Sequence, residues 1–248
     1  MTGGQMDTVN AVLFGKDPRV QKALSVARNV SVTKASVLIV GEIGVGKRTL
    51  GKYIHESSNR ANEPILTVDC SKDPQTVENT ILGFRDEENG KFNRGVLESA
   101  NRGTLVFANV DNLDEGFQKR LHKILNELQD YDIDVRFIST TTKNLSKLVG
   151  SGRFYRGLYT LLCSNTIYLA PLRERVGDLE MLAKHFANEH TQESGRGMEI
   201  DGSAMNKILS HYWTHNVYEL KSVIENSVAD NASGNLSEEN LAIGEKKA

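Results

Sequence analysis

The stretch that most constrains this chain is "ASVLIVGEIGVGK", residues 35–47. A continuous apolar run, 35–40, reads as a strand covered on both faces. It leads into Gly41-Glu42-Ile43-Gly44-Val45-Gly46-Lys47, which fits G-x-x-x-x-G-K. "RTLGKYIHESS" follows with helical character. A strand before and a helix after are the context in which this motif cradles phosphate. Its glycines let backbone N–H groups converge on phosphate oxygens, and the helix N-terminus adds a favourable dipole. Lys47 would reach the terminal phosphates of ATP or ADP. The residue after the lysine is usually Ser or Thr, whose hydroxyl holds magnesium. Here it is Arg48, and Thr49, one position later, points elsewhere on the helix. Magnesium binding is therefore expected to be weak or absent.

Strand and helix patterns alternate beyond this loop. "PILTVDC" (64–70), "GTLVFAN" (103–109), "IDVRFIST" (133–140) and "NTIYLA" (165–170) read as further strands. "FQKRLHKILNELQ" (117–129) sets Phe117, Leu121, Leu125 and Leu128 on one helical stripe. After Pro171 the strand signals stop, and "DLEMLAKHFANEH", "GSAMNKILSHYW" and "NVYELKSVIENSVAD" read as three helices. Alternation of this kind implies an α/β fold, a parallel sheet flanked by helices, followed by a small C-terminal helical lid. The expected division is a nucleotide-binding core over 10–172, a lid over 173–240, and flexible ends at 1–9 and 241–248. The opening MTGGQM resembles an expression tag and is set aside.

With 248 residues, 39% apolar and 25% charged, the chain can bury a sizeable core in water. Its net charge of −2 gives no strong footprint for nucleic acid. No membrane-length apolar run is present, so a cytoplasmic placement is expected. Cys70 and Cys163 read as buried free thiols. His211 and His215 stand four apart, but "WTHN" should break the helix there, and Trp213 reads as lid core. The charged run "RDEEN" (85–89) reads as a solvated loop.

Several segments, in order, resemble the AAA+ ATPase domain of sigma-54-dependent bacterial transcription activators. They are "FGKDPRVQKAL", "VLIVGEIGVGK", "RGVLESANRGTL", "GRFYRGLY" with "YLAPLRERVGDLEMLAKHF", and "HYWTHNVYELKSVIENSV". The resemblance covers nearly the whole chain. It implies an AAA+ core with a helical lid.

The departures fall on the working parts. The family's second acidic strand ends in Asp-Glu, for magnesium and for the attacking water, where this chain has Ala108 and Asn109. Neither replacement does that chemistry. Asp111 lies nearby, and strand alternation puts it on the face of Asn109, with Asp111 or Asn112 as cap of the next helix. The family's GAFTGA loop is matched by a shorter, charged "EENGKFNRG" (87–95). The arginines it inserts into a neighbour's site are matched by Tyr155 and Leu161, with Arg156 shifted by one as a partial substitute. The lid arginine that senses the γ-phosphate is matched by Tyr218. Thr141 and Thr142 stand where the sensor Thr-Asn would be. The family's asparagine at the end of the second strand is matched by Asp69, so acid and amide have exchanged strands. That exchange reads either as a retained hydrogen bond or as coincidence.

The implied function is a degenerate AAA+ module of a transcription regulator that binds ATP, ADP or another phosphate ligand without efficient hydrolysis. An active ATPase with an altered site and a nucleotide-free scaffold are the alternatives. Catalytic residues and a metal site are not expected. No DNA-binding module is visible, so partners are expected to be further copies of the chain or other regulator domains.

Overall fold

The computed structural model describes residues 15–191, 198–231 and 234–243. Of the ends expected to be flexible, 1–9 and 241–248, residues 1–9 with the MTGGQM opening and 244–248 lie outside the described residues. The chain divides into two compact units, one of residues 23–41 and 47–168, the other of 1–22, 42–46 and 169–248.

The first unit is built on five parallel strands: β1 (Val37–Val40), β2 (Ile65–Asp69), β5 (Thr104–Ala108), β6 (Arg136–Thr141) and β7 (Asn165–Tyr168), in the spatial order β2-β5-β6-β1-β7. Helices α1 (Pro18–Ser31), α2 (Lys47–Glu56), α3 (Pro74–Leu82), α4 (Val96–Ser99), α5 (Glu115–Glu127), α6 (Leu145–Gly150) and α7 (Arg156–Leu162) intervene. Cover on both faces explains why β1 and β5 are almost wholly apolar, while β6 also buries Arg136, Ser139, Thr140 and Thr141. Leu38, Leu105, Phe107 and Phe137 join Phe117, Leu121 and Leu125 of α5 in one core. Ile39, Val106 and Ile138, the intervening positions, are also buried. Gly51 of α2 sits against Ile39 and Ile138, so helices cover both faces. The stripe read from 117–128 is the buried side of α5 and its continuation. Arg136, fully buried, donates to the carbonyls of Ser31 (2.9 Å) and Val30 (2.6 Å). It thereby satisfies the Ser31 carbonyl at the end of α1 and joins Thr33 on that of Val30.

The charged run 85–89 lies at the surface as expected: past Arg85, residues 86–89 form the turn of a hairpin whose strands are β3 (Gly83–Arg85) and β4 (Phe92–Arg94). Gly90 (φ +69°) turns the hairpin, and Gly83 (φ +86°, ψ +170°) makes the junction from α3 into β3. Cys70 is buried as expected, but Cys163 is only half-buried. Desolvation pushes both thiols up to about 12, which keeps them protonated and inert.

The second unit is helical: α8 (Val176–Thr191), α9 (Gly202–Ser210) and α10 (Asn216–Ala229). Trp213 is fully buried in its core with Leu179, Phe186, Ile208, Leu220 and Ile224, and its indole N–H donates to the Ile208 carbonyl at 2.9 Å. The chain leaves α9 at Ser210, ahead of the "WTHN" turn, earlier than the pattern through Trp213 suggested. Strands do not stop at Pro171. The two-residue strands β8 (Glu199–Ile200) and β9 (Asn235–Leu236) pair in parallel, too short to carry a periodicity signal.

Candidate functional site

The glycine loop leaves β1 with the Gly41 N–H bonded to the Thr141 carbonyl at 3.1 Å. Gly44 (φ +77°) and Gly46 (φ +104°) occupy backbone conformations that side chains disfavour. Gly44 is required twice, because a Cβ there would fall 1.9 Å from the His215 carbonyl oxygen. Lys47 opens α2, and its ammonium donates to the Gly41 carbonyl at 2.7 Å. Val45 is buried and Ile43 is exposed. Arg48 is exposed and Thr49 half-buried. The loop thus combines special-φ glycines, a helix N-terminus and a lysine, which fits a phosphate chain.

The loop apex, residues 42–46, belongs to the helical unit. Arg173 donates through both terminal nitrogens to the Glu42 carboxylate, at 2.7 and 2.5 Å. This fork geometry raises the pKa of the guanidinium, with the Glu42 hydrogen bond as the largest cause. Asn216 Nδ2 donates to the Ile43 carbonyl at 2.9 Å, and the Tyr218 N–H to the Gly44 carbonyl at 3.1 Å. The Tyr218 ring itself is exposed. These partners lie more than 100 residues from the loop, and sequence reading did not find Asn216 or Arg173.

At the end of β5, Ala108 pairs in register with Asp69 of β2. Asn109 then turns into the left-handed region (φ +55°, ψ +45°). Its amide donates to Asp69 Oδ1 at 3.0 Å. Asp69 also accepts from the Ser71 hydroxyl (2.7 Å) and N–H (3.0 Å). The hydrogen bonds from Ser71 first, then Asn109, hold its carboxyl below the ordinary range. A hydrogen bond therefore joins the two positions, with the amide just past β5 and the acid at the end of β2.

Asp111 does not behave as expected. The left-handed turn at Asn109 ends strand alternation, and residues 110–112 form a 3-10 turn. Asp111, its side chain 3% exposed, accepts from the Thr141 hydroxyl at 2.6 Å and pairs with Lys143 at 3.0 Å. The cap of α5 is Asp114, which accepts from the Phe117 N–H at 3.0 Å. Thr141 is buried in this cluster while Thr142 is exposed, so the two threonines part company.

Tyr155 and Arg156 stand at the start of α7, with Arg156 exposed. The Tyr155 N–H donates to Gln118 Oε1 at 2.7 Å, and its ring meets His122 edge-on. Leu161 packs against the main core. His211 Nε2 lies 3.1 Å from Glu219 Oε1, and the His215 N–H donates to Glu219 Oε2 at 2.7 Å. Among the described residues, no three His, Cys, Asp or Glu gather as a metal site.

A parallel sheet of this order with its glycine loop, followed by a helical unit, defines a P-loop protein of the AAA+ class. The Sigma-54 interaction domain model matches residues 13–168, and the AAA+ ATPase lid domain model matches residues 173–243. The chain belongs to the sigma-54 interaction domain family, that of sigma-54-dependent activators. It is 32% identical over 244 residues to the Sigma54-dependent transcriptional activator SfnR of Pseudomonas putida, covering 92% of this chain and 66% of SfnR. It is 32% identical over 228 residues to the regulatory protein AtoC of Escherichia coli, covering 86% of this chain and 49% of AtoC. The chain thus spans less than two thirds of these relatives. Among solved structures, NtrX from Brucella abortus in complex with ADP superposes with a TM-score of 0.81 at 25% identity, covering 92% of this chain and 54% of NtrX. The Thermotoga maritima RuvB motor shares the fold, with a TM-score of 0.60 at 13% identity, over 91% of this chain and 67% of RuvB.

Proposed function

We propose that the chain is a degenerate AAA+ module of a bacterial transcription regulator, one that binds ADP or ATP without efficient hydrolysis and does not remodel sigma-54. The observation that carries this reading is the Asn109–Asp69 hydrogen bond beside Ala108. An amide occupies the place where a base would activate water, and the neighbouring carboxylate is engaged by that amide and by Ser71. Asp111, the other acid nearby, is engaged by Thr141 and Lys143. Without a positioned base, the rate falls by about two or more orders of magnitude.

The loop 41–47 would hold the nucleotide phosphates, through its backbone and Lys47. A magnesium ion does not fit the side chains present. Position 48 offers a guanidinium, position 108 a methyl group, and both nearby acids are already partnered. We assign the nucleotide-binding core to 10–172 and the lid to 173–240. No helix among the described residues is long and apolar enough to cross a membrane. Further copies of the chain or other regulator domains are the partners this reading allows, with Arg156, exposed beside Tyr155, as the partial substitute for an arginine that reaches a neighbouring copy's site.

Calorimetric titration of ADP and ATP beside a phosphate-release assay tests the reading. Binding that Lys47→Ala abolishes, with release at background, is the expected result. Robust release that Lys47→Ala abolishes would overturn it in favour of an active ATPase, and no binding would leave a scaffold.

A further inference from the structure

The apex of the glycine loop carries an acid, Glu42, at a place whose chemistry is to hold anions. A carboxylate beside bound phosphates is repulsive, so its presence calls for a reason, and its partners supply one. Glu42 takes both terminal nitrogens of Arg173 at 2.7 and 2.5 Å and the Asn216 amide at 3.3 Å. The same amide donates to the Ile43 carbonyl at 2.9 Å, while Asn216 Oδ1 accepts from the Leu172 N–H at 2.7 Å. Asn216 is fully buried and sits at φ +54°, a left-handed conformation that asparagine tolerates better than most residues. One buried amide therefore ties together residues 42–43, the segment at 172–173 and the start of α10.

We infer that Glu42 and Asn216 are positioning residues for the ligand of the glycine loop, which hold its apex in the anion-ready conformation while Glu42 itself does not touch the ligand. This rests on the reading that the loop binds nucleotide phosphates. Apex carbonyls are turned toward Asn216 and the Tyr218 N–H, which fixes the backbone before any ligand arrives. A loop already fixed loses less conformational entropy on binding.

Charge and positioning predict opposite signs for one substitution. If Glu42 acted only through its charge, Glu42→Ala would remove a repulsion, free Arg173 and tighten ADP binding. If it positions the apex, the same change weakens binding. The experiment is calorimetric titration of ADP in EDTA on the full chain and on Glu42→Ala and Asn216→Ala. Hydrogen–deuterium exchange over residues 42–46 and a thermal melt accompany it. Glu42 is partly exposed, with 42% of its side chain accessible, so its variant should keep the fold even where Asn216→Ala does not. The expected result for Glu42→Ala is about tenfold weaker ADP binding, faster exchange at 42–46 without ligand, and a nearly unchanged melt. Equal or tighter binding with unchanged exchange would overturn the proposal. If the wild-type chain takes up no ADP, the nucleotide reading has failed. The positioning of the apex then stands or falls on exchange at 42–46 alone.

Discussion

Asn109 Nδ2 donates to Asp69 Oδ1 across 3.0 Å, joining the ends of the neighbouring parallel strands β5 and β2. The contact joins an amide at the end of β5 to an acid at the end of β2, so no carboxylate stands at position 109 to act as a base.

That pair makes stability depend on pH in a defined direction. Asp69 is held below its ordinary range, by Ser71 first and Asn109 next. A carboxylate lowered by folding contributes stability above its unfolded pKa of about 4 and loses it as pH falls through the folded value. Asn109→Asp removes the donor and places a second carboxylate against the first, which raises the affinity of the pair for a proton. The variant is expected to lose about 1–2 kcal/mol at pH 7 and to recover part of it by about pH 5, where the wild type has not yet begun to lose. Urea denaturation at the two pH values measures this, and a deficit that does not shrink at the lower pH would contradict it.

The buried acid at position 111 gives a second test. Lys143 is half-exposed, so the pair itself is screened, but Asp111 is not. Lys143→Ala leaves a buried carboxylate that accepts from the Thr141 hydroxyl but has lost its cation, at an expected cost of about 1–2 kcal/mol. Adding Asp111→Asn should restore most of that loss, since an amide oxygen keeps the Thr141 bond without the charge. Failure of the double variant to recover in a urea series would show that Lys143 acts by packing.

These two clusters mark where the sequence was and was not legible. The loop and the five sheet strands could be read because glycines at 41, 44 and 46 follow an apolar run, and because strands covered on both faces carry short, mostly apolar runs. The amide–acid exchange at 69 and 109 was visible as two residue types at matched strand ends. Asp111 was misplaced because the left-handed turn at Asn109 ends the alternation that would have oriented it. The hairpin at 83–94 hid in a charged stretch because its three-residue strands are largely exposed. Asn216 and Arg173 reach the loop apex from more than 100 residues away, and no local pattern reports such a contact.

The hairpin bears on the choice of partner. Phe84 pairs in register with Asn93, and Arg85 with Phe92, so the two exposed rings project from opposite faces. Residues 86–91 between them are charged or polar except Gly90. The family resemblance implies a small, apolar-tipped loop for gripping sigma-54. A charged tip with its aromatics split between two faces suits that grip poorly. Purified chain mixed with sigma-54 and a transition-state nucleotide analogue is expected to elute as separate species in gel filtration. A stable complex would defeat this prediction, and it would then be worth asking whether Phe84→Ala or Phe92→Ala dissolves it.

Nucleotide binding is expected to depend little on magnesium. Arg48 stands where a hydroxyl would hold the metal, and Ala108 where an acid would. The acids at the end of β2 and just past β5, Asp69 and Asp111, already accept hydrogen bonds from Asn109 and Thr141. Arg48, in the first turn of α2 and exposed, brings a permanent positive charge next to Lys47, a share of phosphate neutralisation that the metal commonly supplies. ADP and ATP titrations in magnesium and in EDTA are expected to agree within a few-fold, and Arg48→Ala should weaken both. A loss of affinity in EDTA of about tenfold, roughly 1.4 kcal/mol, would mean that a metal ion is held here after all. Equal affinities that Arg48→Ala leaves untouched would assign neutralisation to Lys47 and the loop backbone, with Arg48 directed to solvent.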